Sequence, residues 1–275
     1  MKAEKIYDEK KLIGYVYFYL DYNTEIRDRK VFTEDLTKSL KGNSVGYAGY
    51  QKKEYLQNYL SYHLFGDKMP RQIPKYKYNK NKILSIIKRA LIASHRELPC
   101  EPSRIYVFPN FNSFVRKRMK GIGAFSPCKN AIVIEINPTV IRWEESLLHT
   151  IPHEYNHSVY YHYHKTLRLC EGLVMEGYAE HFREKVLGGK RAPWTLAVTE
   201  QACKLHFKKL KKKLFSKSSK LYFNVFFGSK EYPHWLGYSA GYHIVKRFLK
   251  KNKDLSWPEL IKLRSADVIR KSGFN

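Results

Sequence analysis

The stretch Ile151–His164, IPHEYNHSVYYHYH, sets His153 and His157 four positions apart with Glu154 between them. On a helix, positions i and i+4 lie one above the other about 6 Å apart, so both imidazoles can reach one cation and Glu154 flanks the same face. Apolar residues running through Val140, Leu147 and Leu148 into this stretch have helical spacing. Zinc takes neutral imidazole nitrogens and a third protein ligand, and leaves one position open for water. His153 and His157 supply two ligands, and the third has to come from elsewhere in the chain.

The segment Leu173–Phe182, LVMEGYAEHF, supplies the candidate. Residues 158–175 separate His157 from Glu176, room for the rest of one helix, a short turn and an antiparallel return. Such a return brings a carboxylate back to the metal, and Gly177 removes a side chain where two helices must approach closely. Other residues compete for these roles. His149 and His153 form a second pair four apart, and His162 and His164 are near in sequence, but only His153 with His157 encloses a glutamate at the second position. Glu171-Gly172 imitates Glu176-Gly177 with less room for the turn. Glu180, one turn beyond Glu176, either orients a ligand histidine or faces solvent. Pro152 removes a backbone bond, so the metal-bearing helix starts afresh there or bends.

HExxH followed by Glu-Gly-aromatic-Ala resembles the gluzincin metallopeptidases, the thermolysin and aminopeptidase type. The fuller string, HEYNHSVYY with EGYAEHF and a later GYSAGY at Gly237–Tyr242, is similar to a bacterial family of predicted zinc-dependent proteases. The similarity runs from about Tyr78 to the C-terminus. It implies an α+β zincin fold, gluzincin-like, with a small sheet over the HExxH helix and a helical C-terminal half that brings Glu176 to zinc. On this reading residues 1–77 are an N-terminal extension. Residues 78–275 form the catalytic domain, with the sheet and active-site helix reaching to about 165.

The chemistry expected of such a site is amide hydrolysis without a covalent intermediate, in a peptide or protein substrate. Zinc polarises the carbonyl and activates water, while Glu154, poorly placed to be a ligand, serves as general base. A donor for the developing oxyanion is also needed. Tyr238 and Tyr242 share a helix face, and either can serve as that donor or simply pack. Gly121–Phe125 reads as an edge strand that pairs with extended substrate, or else as a tight turn.

Local patterns predict the surrounding elements. Ile83, Ile86, Ile87, Ala90, Leu91 and Ala93 give a helix from Tyr78 to Pro99. Three strand-like runs follow, Ile105–Phe108, Gly121–Phe125 and Ala131–Ile136, and Pro138 is a helix start. Later helices are expected over Leu173–Leu187, closed by Gly188-Gly189, and over Trp235–Leu249, with a last one after the capping box at Ser256. The first seventy residues show aromatic runs and turn signals at Gly42-Asn43, Gly46 and Gly49, and no chemical motif.

The net charge of +26, from 51 basic and 25 acidic residues, makes a polyanion partner plausible, either nucleic acid or an anionic surface. Lysines concentrate in KLHFKKLKKKLFSKSSK, Lys204–Lys220, but basic residues spread along the whole chain, as on an ordinary solvated surface. The alternative function is therefore a basic nucleic-acid-binding or regulatory protein with a non-catalytic zincin-like domain. It leaves the glutamate inside the histidine pair unexplained. Cys100, Cys128, Cys170 and Cys203 form no CxxC pair and read as small buried hydrophobes with free thiols, which with no secretory signal points to the cytoplasm. Leu12–Leu20, the most apolar run, is too short to span a bilayer.

Overall fold

A computed structural model describes residues 3–40, 52–164 and 168–275; the turn signals at Gly42-Asn43, Gly46 and Gly49 lie outside them. The chain divides into two compact units, Met1–Ser158 and Val159–Asn275.

The first unit contains β1 (Glu4–Asp8), β2 (Lys11–Phe18), α1 (Arg29–Leu36), α2 (Lys53–His63), α3 (Lys80–Glu97), β3 (Ser103–Pro109), α4 (Ser113–Arg118), β4 (Ile122–Cys128), β5 (Ala131–Ile136) and most of α5 (Trp143–Tyr163). Its strands form one mixed sheet in the order β1-β2-β3-β5-β4. Strands β2, β3 and β5 run parallel, while β1 and β4 are antiparallel to their neighbours. Every residue of β5 is buried, which is why AIVIEI is apolar on both faces apart from Glu135 rather than alternating. On one face Tyr106, Phe108 and Val133 join Phe32 and Leu36 of α1 and Leu56 and Leu60 of α2 in a single cluster. The opposite face takes α3. A Cβ at Gly14 of β2 would stand 2.6 Å from the Leu91 side chain, so the glycine lets α3 close on the sheet.

Residues 1–77 thus lie outside the segment of family resemblance and yet supply two of the sheet's strands and two helices that cover one of its faces. They are built into the same compact unit as residues 78–158, and the division between units falls inside α5. Helix α5 begins later than Pro138. Asn137 Oδ1 accepts hydrogen bonds from the Thr139 amide and hydroxyl and holds a turn there. From Trp143 one continuous helix runs to Tyr163 with Pro152 inside it, so it does not start afresh at the proline.

The edge strand β4 carries a register shift between Phe125 and Cys128, at Ser126-Pro127. Proline is tolerated there because a bulged edge strand needs no donor at that position. Just before the strand, Gly121 has φ +82°, and a Cβ on it would meet the Asn137 carbonyl at 2.8 Å. A tight turn accounts for that glycine.

The second unit begins with the last turn of α5 and continues through α6 (Leu169–Leu187), α7 (Pro193–Leu196), α8 (Glu200–Leu210), α9 (Ser219–Phe227), α10 (Leu236–Lys251), α11 (Trp257–Leu260) and α12 (Ser265–Ser272). Helix α6 starts before Leu173 because Glu171 caps it, its Oε2 accepting from the Arg168 amide at 2.6 Å. Gly188, at φ +65°, ends it. The capping box at Ser256 and Glu259 opens α11. Helices α6 and α10 pack at Gly177 and Gly241. A Cβ on Gly177 would stand 2.3 Å from the Gly241 carbonyl oxygen, and one on Gly241 would stand 2.2 Å from that of Leu173. No helix among the described residues is long and apolar enough to cross a membrane.

Candidate metal centre

Two anchors set how α5 is turned. In the first unit the Tyr155 hydroxyl donates to the Leu98 carbonyl at 2.7 Å, at the end of α3, with Cys100 Sγ 3.1 Å away. Residues two positions away on a helix point to the opposite side, so with Tyr155 held there His153 and His157 face away from α3. In the second unit, the Tyr160 hydroxyl meets Ser265 Oγ at 2.7 Å. The ring of His164 stacks on Tyr160, and its Nε2 lies 2.8 Å from the Ile261 carbonyl.

His153, His157 and Glu176 each offer one ligand atom, and these atoms all lie within 4.8 Å of one another. All three side chains are buried, and the two imidazole rings stand nearly perpendicular with centroids 4.5 Å apart. Ligands about 2.0 Å from a tetrahedral ion sit about 3.3 Å apart, so small side-chain rotations would close this set on a metal. Two imidazoles and one carboxylate, with a fourth position left to water, is also a donor set that zinc favours. Among the described residues no other three His, Cys, Asp or Glu side chains converge in this way.

Beside this group lies Glu154, whose side chain is held from the edge strand. Ser126 Oγ is 2.7 Å from the Glu154 main-chain oxygen and 3.0 Å from its Oε2. The register shift in β4 at Ser126 allows this residue to turn from the ladder toward the helix.

The competing residues have other places. His149, His162 and His164 are outside the converging group, and Glu171 is the cap of α6. Glu180 is buried rather than solvent-facing. Its Oε1 accepts from Trp194 Nε1 at 2.8 Å and its Oε2 from Arg183 Nε at 3.2 Å. Tyr242 donates its hydroxyl to Glu184 Oε2 at 3.2 Å, its ring stacks on His181, and the Arg191 guanidinium lies 4.0 Å from the ring centroid. Burial and the nearby Glu184 carboxylate push the Tyr242 phenol up to about 12. Tyr238 packs edge-on against Phe226 and Trp194. Cys170 and Cys203 are buried and Cys100 and Cys128 half-buried, all four as free thiols. In α8 the buried residues are Cys203, Phe207 and Leu210, while Lys208 and Lys209 are exposed, as on a solvated helix face.

Sequence reasoning passed over two residues. Ser126 carries no motif, and only its place beside Pro127 on an edge strand could have drawn attention to it. Tyr222 of α9 lays its ring against α6 at Gly172, one turn before Glu176. That glycine was its signal.

A mixed α+β fold with this buried group has the donor set of a three-ligand zinc protein. The chain belongs to the family described as predicted Zn-dependent protease (DUF2268), whose profile matches residues 83–270. No curated protein and no solved structure shows significant similarity to it.

Proposed function

We propose that the chain is a zinc-dependent peptidase of gluzincin-like zincin fold, with His153, His157 and Glu176 as ligands and Glu154 as general base. The observation that carries the reading is the convergence of the three ligand atoms within 4.8 Å, with Glu154 beside them tied to an edge strand by Ser126. Family membership supports the same chemistry.

Held by the three side chains, zinc supplies a Lewis acid that polarises a carbonyl oxygen and brings the pKa of water to about 7. Glu154 takes a proton from the attacking water and delivers it to the departing amine. The Ser126 hydroxyl, bonded to Glu154 Oε2, restrains the orientation in which this base would meet the water. Strand β4 is a sheet edge, and its outer side has the backbone groups to pair with an extended peptide. The substrate class is accordingly unstructured protein or extended peptide.

Glu154→Gln tests this reading, because it removes the base and spares the ligands. Cleavage of an unstructured protein should fall by a factor of about 100 or more with about one zinc per chain retained, and Glu176→Ala should lose zinc and activity together. Zinc-loaded wild-type protein that cleaves nothing in a broad peptide library would sink the proposal.

A further inference from the structure

Two glycines far apart in sequence make room for one tyrosine. Helix α9 opens at Ser218, whose hydroxyl oxygen accepts from the Leu221 amide at 3.2 Å, and it closes at Gly228. Its Phe226 is fully buried against α10, where a Cβ on Gly237 would stand 2.7 Å from the ring. The Tyr222 ring stacks on Phe226 with centroids 4.2 Å apart and planes 17° from parallel. At α6 a Cβ on Gly172 would stand 2.4 Å from Tyr222 Cε2 and 3.3 Å from Cζ, the carbon that bears the hydroxyl. Any larger residue at either glycine would displace this ring pair.

Gly172 and Glu176 are four apart on α6 and share a face, so the phenol end of Tyr222 lies one turn from the proposed ligand. Among the described residues its hydroxyl has no hydrogen-bond partner, and the side chain is half-buried rather than sealed. A tyrosine phenol keeps its proton at neutral pH. A hydroxyl donor is thus held about one helical turn from Glu176 by a stacked ring and a helix backbone. The two tyrosines of GYSAGY differ in this respect, for Tyr242 has its hydroxyl on Glu184 and Tyr238 packs among aromatic rings.

We propose that Tyr222 is a catalytic residue of the peptidase reaction inferred above, donating a hydrogen bond to the carbonyl oxygen that gains negative charge as the scissile carbon becomes tetrahedral. The donor is fixed before the charge develops, which is the condition under which such bonds contribute most. No proton is transferred from Tyr222, and no bond of its own forms or breaks.

Tyr222→Phe keeps the stacked ring and removes only the hydroxyl. Zinc content and thermal midpoint should match wild type, kcat should fall about 10²- to 10³-fold, and KM should stay within about 2-fold. A phosphinic peptide, whose tetrahedral anion imitates the charged oxygen, should bind the variant about 100-fold more weakly by calorimetry, a readout independent of turnover. Wild-type kcat and wild-type phosphinic affinity in Tyr222→Phe would overturn the assignment and leave the peptidase reading standing. If the zinc-loaded wild type neither cleaves peptides nor binds the phosphinic peptide, both fall together.

Discussion

The Ser126 hydroxyl lies 2.7 Å from the main-chain oxygen of Glu154 and 3.0 Å from its carboxylate, so the edge strand β4 and helix α5 meet through one side chain. One hydroxyl proton serves two acceptors on the same residue. The contact to the carboxylate is charge-assisted and restricts its rotamers. Ser126→Ala should lower kcat about 10-fold with zinc content and KM unchanged, because a positioning group contributes less than the base it orients. Ser126→Thr, which keeps the hydroxyl, should recover most of the loss. A kcat for Ser126→Ala equal to that of wild type would show the contact to be idle.

Metal removal should register in stability as well as in activity. His153, His157 and Glu176 converge in the folded chain, so zinc held there would bind the native state and shift unfolding by mass action. At free zinc about 100 times its dissociation constant, the gain is about 2.7 kcal/mol, or about 5 °C in melting temperature for a chain of this size. Calorimetric scans with and without chelator measure it, and His157→Ala should lose the response. A midpoint indifferent to chelator in the zinc-loaded wild type would contradict the site.

Gly177 sits next to Glu176 at the contact between α6 and α10. A methyl group there would meet the Gly241 carbonyl oxygen at 2.3 Å and the Val245 side chain at 2.6 Å, and backbone cannot yield as a flexible side chain does. Gly177→Ala should destabilise the protein by about 3 kcal/mol, the upper end of ordinary overpacking, and should weaken zinc binding by displacing the neighbouring carboxylate. Urea unfolding and zinc titration check the two effects. Gly188→Ala separates the two effects: at φ +65° and ψ −150° its backbone is strained, so it should lose stability, but a Cβ there touches nothing and zinc binding should not weaken.

The ligand helix was legible because its information is local. Residues four apart define the histidine pair, and the interval to Glu176 is set by two helices and a turn. Strands β3 and β5 were legible because near-complete burial leaves them mostly apolar, with Ile105–Phe108 and Ala131–Ile134 as continuous apolar runs. Strands β1 and β2 were not, since EKIYD and KLIGYVYF carry charge, glycine and tyrosine, and their place depends on distant pairing such as Val16 with Ile105. Tyr222 was hidden for a related reason. SKLYFNVFF reads as a plain apolar segment, and only Gly172 and Gly237, on two other helices, bring its ring beside Glu176. Spacing rules capture contacts within a helix and miss those made by removing side chains elsewhere.

Glu135 gives a test that depends on pH and lies away from the metal ligands. It points from β5 to the same face as Val133, is buried, and accepts one hydrogen bond from Asn110 Nδ2 at 2.8 Å through Oε2. Its other carboxylate oxygen is buried with no partner among the described residues. Burial raises its pKa from 4.5 to about 7, against the opposing effect of the Asn110 bond. A raised pKa means that the folded chain binds this proton more tightly than the unfolded one. The associated stability is therefore fully present below about pH 4.5 and is lost as pH rises through about 7. The loss amounts to about 3 kcal/mol on the scale of 1.36 kcal/mol per pKa unit. Glu135→Gln keeps the shape and cannot ionise, so its stability relative to wild type should rise by about 3 kcal/mol between about pH 4.5 and pH 8. Urea unfolding of both proteins across that range gives the difference directly, and contributions from all other titrating groups cancel in it. Parallel curves would mean that Glu135 ionises in the folded chain as readily as in water, and that its burial behind β4 is relieved by solvent.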